Sequence, residues 1–344
     1  MKIETLNPIG NAAWEEFLQR DPGATVFHTG AWASVLHDTY GFEPRYLAAS
    51  NGSSGIEAGI ALFSVTGDRL VGLPFSDLCP PLLPDSDVGA ALLNDAKQLV
   101  DQKSATLLEL RGRSDLELTS LEKGDEFLQH VVPLDGSAEE LQSRLHSSAR
   151  RALRKAEREG ITVRESTTME DMRRFYGLMV KTRRKHGLIP QPWRFFENIQ
   201  KHLMEAGMGY MLLAEYKGET IAGDLLLAYK EGLTYKFNAS DPKYLQLRPN
   251  NSVLWRAITS GAERGYKWLD LGRCEEDNEG LRRFKLLWGA EERALGYYFY
   301  PSVKAGASHQ KASPLTRRVL ALLVKYAPDW ALQQAGAAVY KNFA

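Results

Sequence analysis

Residues Ser137 to Ile161 read SAEELQSRLHSSARRALRKAEREGI, and this stretch marks where one domain stops and another begins. Ser137 is an N-cap type and Glu140 stands at the capping-box position, so the spacing predicts a helix opening at Ser137. Gly160 stops it at Glu159, and Ile161–Glu165 restarts as a strand. At about 100° per residue, Leu141, Leu145, Ala149, Ala152 and Ala156 fall on one narrow face. Arg144, Arg150, Arg151, Arg154, Lys155 and Arg158 fall opposite. The apolar stripe docks on a core and the basic face stays in water. Such a row of cations makes a strong local field. Two readings stay open. One is a solvated helix face, relieved by Glu157 and Glu159. The other is contact with a phosphate-bearing partner such as a nucleotide, a lipid diphosphate or an RNA backbone, because the planar arginine fork donates two parallel hydrogen bonds to phosphate.

Upstream of this helix the pattern is mixed α and β. Asn11–Leu18 reads as a helix with Trp14, Phe17 and Leu18 on one side, and Thr29 caps a second carrying Trp32, Val35 and Leu36. Arg45–Ala49, Ile56–Ser64 and Arg69–Gly72 read as strands broken by turn residues, and Pro74 to Asp87 as loop. A helix over Val88–Lys103 and strands over Ala105–Leu110 and Glu126–Pro133 complete the first half. Downstream, helices Thr168–His186 and Trp193–Glu205 flank a Pro190–Pro192 break. Strands follow at Tyr210–Tyr216, Thr220–Tyr229 and Leu233–Ala239. Then come helix Asn251–Gly265, strand Trp268–Leu271, helix Glu279–Leu287 and strand Glu291–Tyr300. From Pro314 a last helix carries Leu315, Val319, Leu322 and Leu323; such a stripe does not stay solvated, so it is expected to pack back on the first domain. The fold class is α/β, with α+β mixed sheets. The expected domains are 1–135, with 302–344 returning to it, and 136–301.

The chain has 344 residues with 43 Lys+Arg against 43 Asp+Glu, which argues for two domains and against a wholesale basic nucleic-acid coat. Its 44% hydrophobic content is enough to build cores. MKIETLNPIGN has no apolar signal region, no stretch is long enough to span a membrane, and Cys79 and Cys274 read as reduced thiols; the expected location is cytoplasmic. Walker, Gly-x-Ser-x-Gly, His-Glu-x-x-His and Cys-x-x-Cys motifs are missing, and no histidine sits at a metal-ligand spacing to another, so neither a metal nor a tightly held cofactor is expected. The Arg/Gln-x-x-Gly-x-Gly/Ala loop that cradles coenzyme A is also missing; Leu247-Arg248-Pro249-Asn250 stands in its place.

Three segments carry a resemblance. They are the run from Ser148 to Ile161; Leu254–Ile258 followed by Gly265-Tyr266-Lys267-Trp268-Leu269-Asp270-Leu271-Gly272; and Gly280-Leu281-Arg282-Arg283-Phe284-Lys285-Leu286-Leu287-Trp288-Gly289. In order and spacing they resemble the FemAB family of aminoacyltransferases, which build peptidoglycan cross-bridges. Phe27–Trp32 and Pro80-Pro81-Leu82 agree more loosely. The resemblance implies two tandem GNAT-like acyltransferase domains, and attack by an amine on the ester at the 3′ end of an aminoacyl-tRNA. It also implies that Lys285 matches the lysine of the family's Phe-Lys pair, stabilising the departing ribose oxygen or the terminal phosphate, with Phe284 walling off water. Without the resemblance, Lys285 reads as an exposed lysine on a short basic helix.

The chemistry needs a neutral amine, a stabilised oxyanion and aligned reactants. For a base the sequence offers no dyad; Asp270 ends a strand and His186 a helix, and either reaches toward a cleft. Strand alternation puts Tyr235 and Phe237 on one face and Lys236 and Asn238 on the other, so one pair faces the cleft. The expected catalytic residues are Lys285, Phe284 and Asp270. The expected substrate-binding residues are Arg150, Arg151, Arg154, Lys155, Tyr235, Asn238 and Arg273. The expected activity is amide formation on an amine of a cell-envelope precursor, with aminoacyl-tRNA as co-substrate and, as a further contact, the inner membrane surface. The alternatives are an acyl-CoA-dependent N-acyltransferase of polysaccharide or lipid modification, and a non-enzymatic binder of anionic membrane or RNA.

Overall fold

The computed structural model describes residues 1–50, 55–72, 74–84, 87–114, 118, 121–302 and 324–342. The chain opens with strand β1 (Lys2–Leu6), helices α1 (Ala12–Arg20) and α2 (Gly30–Tyr40), and five short strands: β2 (Glu43–Pro44), β3 (Tyr46–Ser50), β4 (Ile56–Ile60), β5 (Phe63–Val65) and β6 (Arg69–Val71). Helix α3 (Asp87–Asp101) and strands β7 (Leu107–Arg113) and β8 (Glu122–Pro133) follow. Next come α4 (Ala138–Arg144), α5 (Ser147–Arg158), β9 (Thr162–Ser166), α6 (Met169–Lys185) and α7 (Trp193–Ile199), and then β10 (Gly209–Tyr216), β11 (Glu219–Tyr229) and β12 (Gly232–Ser240). The chain ends with α8 (Pro249–Glu263), β13 (Trp268–Cys274), α9 (Glu279–Leu286), β14 (Glu291–Tyr300) and α10 (Asp329–Asn342).

The described residues form two compact units, 1–128 with 294–302 and 339–342, and 129–293 with 324–338. The divisions fall inside β8 and β14 rather than at 135/136 and 301/302, and residues 324–338, expected to return to the first domain, belong to the second unit. The expected helix bearing Leu315, Val319, Leu322 and Leu323 lies outside the described residues.

In the first unit, β1, β3 and β4 form a three-stranded antiparallel sheet. α3 lays Leu92, Leu93 and Ala96 against Leu47, Ala49, Ala58, Ile60, Leu108 and Leu110. α1 closes another side with Trp14, Phe17 and Leu18, all buried. Asn11 and Thr29 cap α1 and α2 through their side chains, as their residue types require.

In the second unit the strand order is β8-β13-β12-β11-β10-β9. α5 packs on α8, and α8 on β10 and β11, over a core that includes Tyr210, Leu212, Ala222, Leu226, Leu254, Ala257 and Ile258. α6 and α7 cover the other face, where Phe195 and Phe196 meet Phe237 and Phe175 meets Phe196.

The single helix expected over Ser137–Glu159 is two helices. Leu145 is extended and ends α4; His146 N-caps α5 by accepting from Ser148 N. The backbone N–H of His146, which an unbroken helix would use internally, donates to Leu287 O at 3.0 Å. The capping box at Ser137 and Glu140 forms, and Leu141, Leu145, Ala149 and Ala156 are buried; Ala152 is only half-buried.

Candidate active site

β12 and β13 run parallel and pair only over Gly232↔Trp268, Leu233↔Leu269 and Thr234↔Asp270. β12 continues to Ser240, paired with β11, while β13 continues to Cys274. The two strands therefore part after Thr234 and Asp270. Where a strand loses its neighbour, backbone N–H and C=O groups become free to meet a ligand.

Just past this split, the β11–β12 register slips between Leu225 and Leu226. Phe237 faces Leu225, Tyr235 faces Leu226, and Lys236 is the inserted residue. A bulge of this kind re-aims the side chains beyond it. Phe237 accordingly packs on Phe195 and Phe196, whereas Tyr235 packs on the α8 side of the sheet. Asn238 lies on the Tyr235 side too, beside Asp224, and its Nδ2 donates to Asp224 Oδ1 at 2.7 Å. The strict alternation expected from the sequence fails here: Tyr235 and Asn238 share a face.

Asp224, which sequence reasoning passed over, completes this group. It is 0% exposed, and among the described residues its Oδ2 has no hydrogen-bond partner. Burial pushes its pKa up to about 7, against the opposing pull of Asn238 and Tyr235. Burial, and then the charge of Asp224, holds the Tyr235 hydroxyl well above the usual tyrosine value.

A second feature of the same unit lies between α5 and α8, where a cavity of about 410 Å³ is bordered by Arg150, Arg154, Leu153, Ser252, Trp255 and Arg256. Several other arginines of the unit have carboxylate partners, while Arg183, Arg194, Arg248 and Arg283 have none among the described residues. Arg144 pairs with Asp135, Arg164 with Asp171 and Glu215, Arg174 with Glu170, Arg256 with Glu263, Arg264 with Glu165, and Arg282 with Glu292. Arg150, Arg151, Arg154, Lys155 and Arg158 of α5 have no ion pair among the described residues. Arg150 instead donates to the carbonyls of Ser143 and Gln142 at 3.2 and 3.5 Å. Arg144, expected on the same face, is drawn off by Asp135 because α4 and α5 are separate helices.

Lys285, which the resemblance sets on the departing oxygen or terminal phosphate and which otherwise reads as an exposed lysine, is 5% exposed. Its Nζ donates to Gly272 O at 2.8 Å and Arg273 O at 3.0 Å, tying α9 to the free end of β13. Phe284 is 38% exposed, its ring 6.3 Å from that of Trp288. Asp270 accepts from Gln129 Nε2 at 2.8 Å and from Gly272 N at 2.7 Å, so it fixes the same strand end. Lys285, Asp270 and Arg273 are thus brought together around β13, while the α5 cations form a separate surface. His186 is exposed and C-caps α6. Beside the end of β13, Cys274 Sγ lies 3.8 Å from His130 Nδ1, and His130 Nε2 lies 3.0 Å from Glu292 Oε1. Burial raises the Cys274 thiol despite the nearby Lys285 ammonium, so it keeps its proton and is no ready nucleophile. Among the described residues no cluster of three or more His, Cys, Asp or Glu is arranged to hold a metal.

Residues 143–292 match the family described as Acetyltransferase (GNAT) domain. Over longer stretches the chain is similar to solved structures. The crystal structure of FemX superposes with a TM-score of 0.68 at 16% identity, over 87% of this chain and 97% of that one. This chain has a FemAB-like GNAT fold. L-PGS from Bacillus licheniformis shares the fold at a TM-score of 0.55 and 18% identity, covering 91% of this chain and 96% of its own. A tandem GNAT protein from the clavulanic acid biosynthesis pathway does so at 0.54 and 12%, covering 88% and 99%. No curated protein matches the chain. The parted strands β12 and β13 lie within the segment that matches the GNAT acetyltransferase family. The clue to Asp224 in the sequence was a lone acid inside an otherwise apolar strand, Thr220–Tyr229.

Proposed function

We propose that this chain forms an amide on an amine of a cell-envelope precursor, taking the acyl group from an aminoacyl-tRNA. The observation that carries this reading is the α5 face, where five cations on one helix keep no carboxylate partner among the described residues. Unpaired arginines on a fixed helix suit a phosphate backbone, and their contacts release counterions on binding. The FemAB resemblance supplies the donor, and the similarity to FemX and L-PGS is in keeping with it. In this reading Lys285, Asp270 and Arg273 hold the free end of β13 in place, and Phe284 presents its ring at the surface beside it. Tyr235 and Asn238 line the split where the acyl group sits. The reaction needs no cofactor beyond the charged tRNA, and it places the protein in the cytoplasm. No described helix is long and apolar enough to cross a membrane.

Acyl-coenzyme A as donor is the second reading, favoured by the GNAT match. Against it stands the start of α8. Arg248 there is left-handed, at φ 67°, and Pro249 contributes no N–H. A helix opened this way has fewer free amides to offer a diphosphate. Filter binding of alanyl-tRNA against rising salt tests the choice. Wild type should lose affinity steeply, and the combined Arg150→Ala, Arg151→Ala and Arg154→Ala variant should show a flatter slope. Tight binding of coenzyme A with no affinity for the tRNA would decide for the second reading.

A further inference from the structure

Amide formation by acyl transfer requires a proton to leave the attacking nitrogen as the C–N bond forms, and a proton to reach the departing atom. Neither Asp270 nor Lys285 is free for this; one is held by Gln129 and Gly272, the other by two backbone carbonyls. Asp224 differs. It is fully buried, one of its oxygens is held by Asn238, and the other has no hydrogen-bond partner among the described residues. A buried carboxyl with an unused oxygen is costly unless it serves a purpose, because polar atoms withdrawn from water are normally paired. The bulge at Lys236 brings Tyr235 onto the face of Asp224, and Tyr235 is the first residue of β12 beyond its last pairing with β13. Its ring keeps partial exposure, whereas its hydroxyl is buried on the side of Asp224, which has no exposure.

We propose that Tyr235 and Asp224 act as a proton-accepting pair at the β12–β13 split, Tyr235 meeting the attacking amine and Asp224 standing behind it as a positioning residue that takes the proton. The proposal rests on the acyl-transfer reading but not on which donor is used. As the nitrogen attacks, its proton passes to Tyr235 Oη, and the Tyr235 proton passes to the Asp224 carboxylate. When the donor's ester or thioester bond breaks, the same two steps reversed deliver one proton to the departing oxygen or sulfur. No proton is gained or lost, and no further reactant is needed. The groups around Asp224 favour this role. Its β12 neighbours Asn238 and Tyr235 are neutral. On β10, Tyr210 is engaged with Ser260 of α8 and lies under Arg264, which pairs with Glu165. On α8, Arg256 and Glu263 neutralise one another. Across the sheet, Lys181 of α6 is bound to Asp241. The carboxyl consequently titrates near neutrality, where a base for an amine is effective.

Protein carrying ¹³C at its aspartate carboxyl carbons tests the pair directly. The resonance missing from Asp224→Asn identifies Asp224, and its midpoint should lie near neutrality and rise in Tyr235→Phe, which removes the neighbouring hydroxyl that favours the carboxylate. A midpoint in the ordinary carboxylate range, or one unmoved by Tyr235→Phe, overturns the proposal. Transfer from alanyl-tRNA or acetyl-coenzyme A to two probe amines supplies the kinetic arm. Asp224→Asn should cut transfer to glycinamide on the order of a hundredfold and transfer to hydroxylamine, already neutral at pH 7, far less. Equal losses with both amines would assign Asp224 a structural role and overturn the proposal. If wild type uses neither donor, the acyl-transfer reading fails, and the carboxyl titration alone decides whether the pair exists.

Discussion

Lys285 Nζ lies 2.8 Å from the carbonyl oxygen of Gly272 and 3.0 Å from that of Arg273, and its side chain is buried beneath α9. A charged donor holding two carbonyls at the end of a parted strand is part of the framework. Lys285→Ala should therefore destabilise the second unit by roughly 1–3 kcal/mol, since it leaves two strand-end carbonyls without their donor. Chemical denaturation of the variant beside wild type measures this. Unchanged stability together with a large loss of turnover would show that the ammonium acts on the substrate instead.

Asp224 sets a pH dependence of stability. Its folded-state pKa of about 7 lies above the ordinary 3.8, so the folded protein holds this proton more tightly than the unfolded chain. Its stability contribution is fully present below the unfolded value and is lost as pH rises through the folded one. Asp224→Asn should match wild type in acid and gain on it between about pH 4 and pH 7, ending on the order of 4 kcal/mol more stable. Thermal melts of both proteins across that range measure the gap; a gap that stays constant with pH would contradict the assignment.

Asp171 behaves in the opposite way. It sits in the first turn of α6 and accepts hydrogen bonds from Nη1 and Nη2 of Arg164, at 2.6 and 2.7 Å, and from Arg174 at 2.8 Å. The Arg164 hydrogen bonds hold its carboxyl well below the usual range. This stabilisation is present above the unfolded pKa and disappears as pH falls through the depressed one. Asp171→Asn should lower the melting temperature at pH 7 and lose most of that deficit in strong acid. A deficit that persists there would point to packing rather than charge.

Arg144 and Arg154 offer a matched comparison on neighbouring helices. Arg144 is committed to Asp135 and Arg154 has no ion pair among the described residues. Arg154→Ala should weaken alanyl-tRNA binding about two- to tenfold at low salt, whereas Arg144→Ala should leave it nearly unchanged. Equal effects in filter binding would mean that net charge matters more than the placement of α5.

Local rules written in the sequence determined much of this protein. The Ser137–Glu140 capping box, the Asn11 and Thr29 caps, the burial of Leu141, Leu145, Ala149 and Ala156, and the mixed α/β order all follow from residue type and spacing within a few positions. The α5 cations and the residues around β13 were legible for the same reason, as neighbours on one helix or one strand. What the tertiary structure alone decided depends on partners distant in sequence. The helix breaks at Leu145–His146 because Leu287 receives the His146 amide, across more than a hundred residues. Lys285 is buried because two β13 carbonyls await it. Tyr235 and Asn238 share a face because the β11 register slips by one residue, which no alternation rule along β12 can register. Asp224 carries its unusual state because the strands on both sides and α8 above exclude water, and a carboxyl's solvation belongs to the assembled core rather than to its own segment.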